Sequence, residues 1–342
     1  ILEYVSYLSL GDSPLIQEIW LRSRRIPNGC FSNLDSLTVD RCQFLSDVVL
    51  PFFLLPLLTN LQELEVSDCD SVKSIFDVKG MTQEREITTM GLGAAPFPLP
   101  FALKKLTLTK LPKLENVWNE DPHGILSMQL LQQVSVDNCN CLTSVFPASI
   151  AKDLVKLEDL QQVSIDCKEL MGIVSEDNAD PRGANLEKLV VKDCERLMET
   201  CTVSFFNLTY LQVERCNSLL YLFTSSTAKS LTRLKRMEIE CCDSIEEIIS
   251  KEGDESHENE IIFPQLNCLK LEKLRKLRSF YKGSLLSLPS LEDLSVIDCD
   301  WMERLCPGTL KADKLLQVQL DRRDIKLEND LNSTMRKAFG AK

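Results

Sequence analysis

Cysteine is the residue whose type and spacing first suggest chemistry. Fourteen occur in 342 residues, and Cys42, Cys69, Cys139, Cys194, Cys216, Cys242 and Cys299 recur at one place in a repeating pattern. Thiolates hold zinc when two closely spaced pairs stand at zinc-site separation. The close pairs here are Cys139 with Cys141 and Cys241 with Cys242, and neither is joined by a second pair. Reduced thiols packed at a bend are expected instead. Nucleophilic catalysis by a Ser-His or Cys-His couple has little material, because the two histidines, His123 and His257, lie far apart in predicted loops. Carboxylate pairs such as Glu246 with Glu247 stand among 51 acidic residues and read as a solvated face. No GxxxxGK(S/T) phosphate loop occurs, so nucleotide binding is not assigned. The expectation is a chain that is not an enzyme, without catalytic residues, cofactor or metal of its own.

Composition narrows the alternatives. A net charge of −12 argues against nucleic acid or an anionic membrane as the general partner, since both favour an excess of Lys and Arg. The longest apolar run, VVLPFFLLPLL at 48–58, is too short to span a bilayer and carries two prolines. It reads as buried loop, and no membrane span is expected. The start at Ile1 shows no secretory signal, and the sequons at Asn207 and Asn332 are too common a pattern to carry weight. The hydrophobic fraction of 44% with only 6% aromatics suits a core of stacked aliphatic side chains.

Self-similarity supplies the elements that position these residues. DSLTVDRCQFL (35–45), QELEVSDCDSV (62–72), QQVSVDNCNCL (132–142), EKLVVKDCERL (187–197), TYLQVERCNSL (209–219), KRMEIECCDSI (235–245) and EDLSVIDCDWM (292–302) share the form xxLxVxxCxxL. A variant without the Cys appears at 6–20, 104–118 and 267–281, and degenerate copies at 161–170 and 316–327. The first core residues are then Leu8, Leu37, Leu64, Leu106, Val134, Val163, Leu189, Leu211, Met237, Leu269, Leu294 and Val318, which makes about twelve repeats.

In each LxV the apolar residues face one side of a strand and the residue between them the other. One strand per repeat must pair in parallel with the next, so each needs a return segment behind it. The fold expected is an α/β leucine-rich-repeat solenoid, with a curved parallel sheet on the concave face and short helical, 3₁₀ or loop returns on the convex face. The trailing apolar residues Leu142, Val145 and Phe146, like Leu219, Leu222 and Phe223, suggest 3₁₀ or helical returns. The repeat array is placed at 1–328, with insert loops near 80–100 and 251–260, and a capping segment at 329–342. In that segment Leu331, Met335, Ala338 and Phe339 share one helical face. The lack of a comparable cap before Ile1 suggests an open edge continuing into a longer chain.

The segments CNCLTSVFPASIAKDLVKLEDLQQVSIDCKELMGIVSED (139–177), LFTSSTAKSLTRLKRMEIECCDSIEEIISKEG (222–253) and IIFPQLNCLKLEKLRKLRSF (261–280) resemble the carboxy-terminal repeats of plant coiled-coil nucleotide-binding leucine-rich-repeat disease-resistance proteins. ENDLNSTMRKAF (328–339) resembles the segment that follows their last repeat. The resemblance implies a cytoplasmic, non-catalytic recognition module of an immune receptor, taking part in effector sensing or autoinhibition. Its partner would be a pathogen effector, a guarded host protein or the receptor's own nucleotide-binding module, which is where any cofactor would bind. The alternative is a substrate-recognition array of an F-box-type ubiquitin-ligase adaptor. On either reading the contact residues are expected on the concave face, at Arg41, Glu65, Lys105, Lys188, Tyr210, Gln212, Arg215, Arg236, Glu238 and Lys270. Tyr210, Arg215 and Arg236 are the first choices, because Tyr and Arg most often dominate interface energies. Charge reversal at Arg236 and Lys270 is expected to weaken binding without lowering the melting temperature.

Overall fold

A computed structural model describes residues 4–11, 17, 20, 26, 29–82, 98–122, 124–147, 162–170, 172–174, 186–197, 206–251, 260–302, 304–321, 323–327 and 331–339. Two compact units divide the chain, 1–170 with 174–179 and 171–173 with 180–342. Most of both predicted inserts, and both histidines, lie outside the described residues.

Each LxV becomes a strand in the expected register. In the first unit Tyr7–Leu10, Ser36–Asp40, Glu63–Ser67, Lys105–Thr109, Gln133–Asp137 and Gln162–Asp166 pair in parallel, aligning Leu8, Leu37, Leu64, Leu106, Val134 and Val163. In the second unit Lys188–Lys192, Tyr210–Glu214, Arg236–Glu240, Cys268–Glu272 and Asp293–Ile297 do the same, aligning Leu189, Leu211, Met237, Leu269 and Leu294. Gln317–Leu320 joins them in parallel, and Arg323–Lys326 then folds back antiparallel upon it. Except for half-buried Leu8, these first core residues are buried, as are their partners two positions on.

The bend after each long strand explains the cysteines. The residue before the Cys position, whether Arg41, Asp68, Asn138, Asp193, Arg215 or Asp298, adopts a left-handed backbone with φ of 50–54°. Its N–H turns toward the next strand, as from Arg41 to the Ser67 carbonyl at 3.0 Å and from Arg215 to the Glu240 carbonyl at 3.0 Å. The thiol that follows donates back to the carbonyl two residues earlier. The distances are 3.2 Å at Cys69, 3.1 Å at Cys194 and 3.3 Å at Cys242. Each such cysteine therefore fills the core and adds a second, weak donor at the bend, at Cys69 and Cys242 to a carbonyl that already accepts from the preceding repeat. The described cysteines are free thiols, all buried except Cys141 and Cys241.

The returns correct one expectation. The three-residue spacing from Cys139 to Leu142 is a single 3₁₀-like turn, with Leu142 N–H to Cys139 carbonyl at 3.1 Å. The residues beyond it are extended, as in Ser144–Phe146 and Phe223–Thr224. The hydrogen bonds run sideways to the next repeat, as from Leu222 N–H to the Ile248 carbonyl at 3.0 Å, so inter-repeat pairing wins over a local helix. The first unit carries the short parallel rows Val48–Leu50, Ser74–Phe76, Asn116–Trp118 and Leu99–Pro100 beside Leu126–Ser127. The second carries Phe223–Thr224, Glu247–Ser250, Ser279–Tyr281 and Glu260–Ile262, Leu285–Ser287, Thr309–Lys311. The run read as buried loop thus contains a strand and the 3₁₀ turn Leu55–Leu57, and the end of the first insert is itself a strand. Among the described residues, helix is confined to short pieces such as Ser225–Ser230, and to Leu331–Phe339. In the latter, Leu331 and Met335 are buried, whereas the side chains of Ala338 and Phe339 lie outside the described residues.

Candidate recognition surface

Outward residues of the long strands stand at the first, third and fifth positions, and the parallel register lines them up across repeats. In the second unit, Lys188, Tyr210, Arg236 and Cys268 form one row, and Val190, Gln212, Glu238 and Lys270 the next. Lys192, Glu214, Glu240 and Glu272 form the third. Of the predicted contact residues, Lys188, Tyr210, Gln212, Arg236, Glu238 and Lys270 are therefore neighbours on one strand face. Arg215 sits at the left-handed bend beyond that face. Glu65 and Lys105 occupy the face of the first unit, and Arg41 its bend, with Nε 2.7 Å from Asp40.

The face is already knitted together. The Tyr210 hydroxyl donates to Glu238 at 2.8 Å, and Arg236 Nε donates to the same carboxylate at 2.6 Å. Lys188 Nζ lies 5.3 Å from the centre of the Tyr210 ring, a cation–π contact. Lys270 reaches Glu240 at 2.7 Å and Glu272 at 3.0 Å, and Lys273 reaches Glu272 at 3.1 Å. Arg215 holds Asp193 at 2.5 Å and also pairs with Glu214, while Lys192 approaches Glu214 at 3.1 Å.

Titration follows this geometry. Burial and the bond to Glu238 push the Tyr210 hydroxyl up to about 12. Burial alone would raise Glu238, but Tyr210, Arg236 and the charge on Lys270 outweigh it, and the carboxyl ends below its ordinary value. Lys270 is raised chiefly by its bond to Glu240, Arg215 by its bond to Asp193, and Glu272 is lowered chiefly by its bond to Lys270.

Two features were not singled out from sequence. The acidic row Glu214, Glu240 and Glu272 is the continuation of the two-residue alternation to the fifth strand position, where that signal was available. Cys268 occupies the first position, its Sγ 3.5 Å from Asp293, and burial first of all lifts its thiol to about 11. The Lys270 expectation also changes. Reversing its charge would place a third carboxylate between Glu240 and Glu272, so that variant loses stability as well as surface charge.

Among the described residues, no group of three or more His, Cys, Asp or Glu is placed to hold a metal ion, and no helix is long and apolar enough to cross a membrane. The arrangement offers recognition by matched charge and hydrogen bonding on a preorganised surface.

None of the curated proteins compared with the chain matches it. Among solved structures, the one titled "Crystal structure of TLR13-ssRNA13 complex" aligns at 12% identity and a TM-score of 0.34. That alignment covers 92% of this chain and 56% of the other, so the chain spans little more than half of that structure's length. The family model described as "Plant disease resistance protein RPS2-like, leucine-rich repeats" matches residues 4–168 and 198–320. With most of its length so matched, and its strands in the register such repeats require, the chain belongs to the RPS2-like leucine-rich-repeat family of plant disease resistance proteins.

Proposed function

We propose that these repeats form the protein-recognition module of a cytoplasmic plant immune receptor, acting in effector sensing, autoinhibition or both. The partner would meet the strand face: a pathogen effector, a guarded host protein or the receptor's own nucleotide-binding module. The reading makes the module non-catalytic and assigns it no cofactor, leaving any nucleotide to that other module. The observation that supports it best is the Tyr210, Arg236, Glu238 cluster, a hydrogen-bonded group of opposite charges on rigid parallel strands, with the Arg236 side chain still 51% exposed. Tyr and Arg in such settings supply most interface energy, and prior ordering lowers the entropy lost on binding.

The test measures binding of the chain to the purified nucleotide-binding module of a coiled-coil-class resistance protein. Tyr210→Ala and Arg236→Ala are expected to weaken binding about tenfold or more, as hot-spot truncations do. Arg275→Ala, whose side chain is 76% exposed and meets Asp243 at 3.7 Å away from this cluster, should bind as the parent does. Equal affinity for all three variants and the parent would remove the strand face from the interaction.

A further inference from the structure

In an acidic chain of net charge −12, three cations converge on one cavity of the second unit. Arg278, Lys282 and Arg304 line about 430 Å³ together with Ser279, Trp301 and Pro307. The cavity lies beside the short return strand Ser279–Tyr281, away from the long strands, and so is independent of the recognition surface proposed above.

Its lining is not explained by folding alone. Arg278 lies over the Trp301 ring, 5.6 Å from its centre, and Trp301 stays 59% exposed. Lys282 is 3.0 Å from Glu247, which offsets part of its charge. Among the described residues no carboxylate pairs with Arg278 or Arg304. Ser279 is only 6% exposed, and its Oγ has no hydrogen-bond partner among the described residues. A buried hydroxyl without a partner is costly and uncommon, and Ser279 stands among the residues that line this cationic cavity, so that a turn of its side chain would present the hydroxyl to an oxyanion.

We propose that this cavity binds a phosphate monoester carried on a flat ring. The phosphate lies among Arg278, Arg304 and the Ser279 hydroxyl, and the ring rests against Trp301 and Pro307. A doubly charged anion matches two guanidinium groups that no described carboxylate neutralises better than a carboxylate does, and the planar fork of Arg suits phosphate oxygens. The volume falls in the range of small-molecule sites, about 300–1,000 Å³, and a bare phosphate would fill little of it. The surplus is bounded by indole and pyrrolidine, surfaces that suit an aromatic ring.

Trp301 also reports on the site, since Trp20 and Trp118 are only 1% and 5% exposed. The experiment titrates phenyl phosphate, inorganic phosphate, a purine nucleoside monophosphate and a short phosphotyrosyl peptide at low ionic strength, following tryptophan emission. Phenyl phosphate should quench saturably and bind about tenfold more tightly than inorganic phosphate, with Ser279→Ala and Arg304→Gln each losing about tenfold. Stronger binding by the nucleotide or by the peptide supports the site and identifies a free or a protein-borne source. Should Ser279→Ala not fold, Arg304→Gln, altered at a partly exposed side chain, keeps the test. Failure of every probe to saturate by about 10 mM, or unchanged affinity in Arg304→Gln, overturns the proposal. Inorganic phosphate binding as tightly as phenyl phosphate overturns the ring half of it.

Discussion

Glu238 stands mid-strand with only 8% exposure, and its two partners decide how the strand face answers acid. Its carboxyl lies below the ordinary 4.5, because bonds from Tyr210 and Arg236 outweigh burial. A depressed folded value means that its share of stability is complete above the unfolded value and is lost as pH falls through the folded one. Arg236→Gln removes a favourable charge and leaves burial less opposed. The Glu238 carboxyl should then titrate at higher pH, and acid unfolding should begin earlier; carboxyl NMR and an acid titration of circular dichroism check both. The thiols give a second prediction at this scale. Cys216 is raised chiefly by its bond with Cys194, and Cys242 by its bond with Cys216 and by burial, so both are poor nucleophiles at neutral pH. A thiol reagent should modify exposed Cys141 quickly and these two only on unfolding. Rapid modification of Cys216 in the folded protein would contradict the buried ladder.

At the scale of the element, the repeat is a strand, a left-handed bend, a 3₁₀-like turn and a short second strand. The bend uses Asp or Asn at several copies, residues that tolerate positive φ, but also Arg41 and Arg215, held there by the parallel neighbour. Close approach of return segments is strictest at Gly308, where an added methyl would overlap the backbone carbonyl of Ser284. That carbonyl accepts from Thr309 N–H at 2.8 Å and cannot move without breaking a ladder bond. Gly308→Ala should therefore cost about 1–3 kcal/mol in urea unfolding, whereas Gly11→Ala, with nothing within 4 Å, should be nearly neutral. Equal midpoints for the two variants would refute the close approach. The second strand of each repeat was illegible from spacing. Leu219, Leu222 and Phe223 fit a helical turn as well as a turn followed by a strand, and only sideways bonds to the next repeat separate the two.

For the molecule as a whole, stability of stacked repeats is a sum over neighbours, since no repeat closes a core alone. Leu211, fully buried and aligned between Leu189 and Met237, is the clearest probe. Leu211→Ala should cost about 2–5 kcal/mol. Hydrogen exchange should accelerate most in Lys188–Lys192, Tyr210–Glu214 and Arg236–Glu240, and less in Asp293–Ile297. A melt matching the parent would show the register to be wrong. That register was legible in the sequence because side-chain alternation in a strand is local: each LxV declares its own inward pair, and each Cys its bend. Eight of the ten candidate contact positions were legible as outward strand positions for the same reason, whereas Arg41 and Arg215 stand one residue past their strands, at the bend. Local pattern could not say which of them pair with one another. Tyr210 meets Glu238 across 28 residues of sequence and Lys270 meets Glu240 across 30, distances that only parallel stacking closes. The cationic cavity around Ser279 was equally out of reach, because Arg278 and Trp301 belong to different repeats, and their side chains converge only once the returns are packed. Alternation along one strand thus fixed which side chains face outward, whereas long-range packing decided which of them share charge, hydrogen bonds and a cavity.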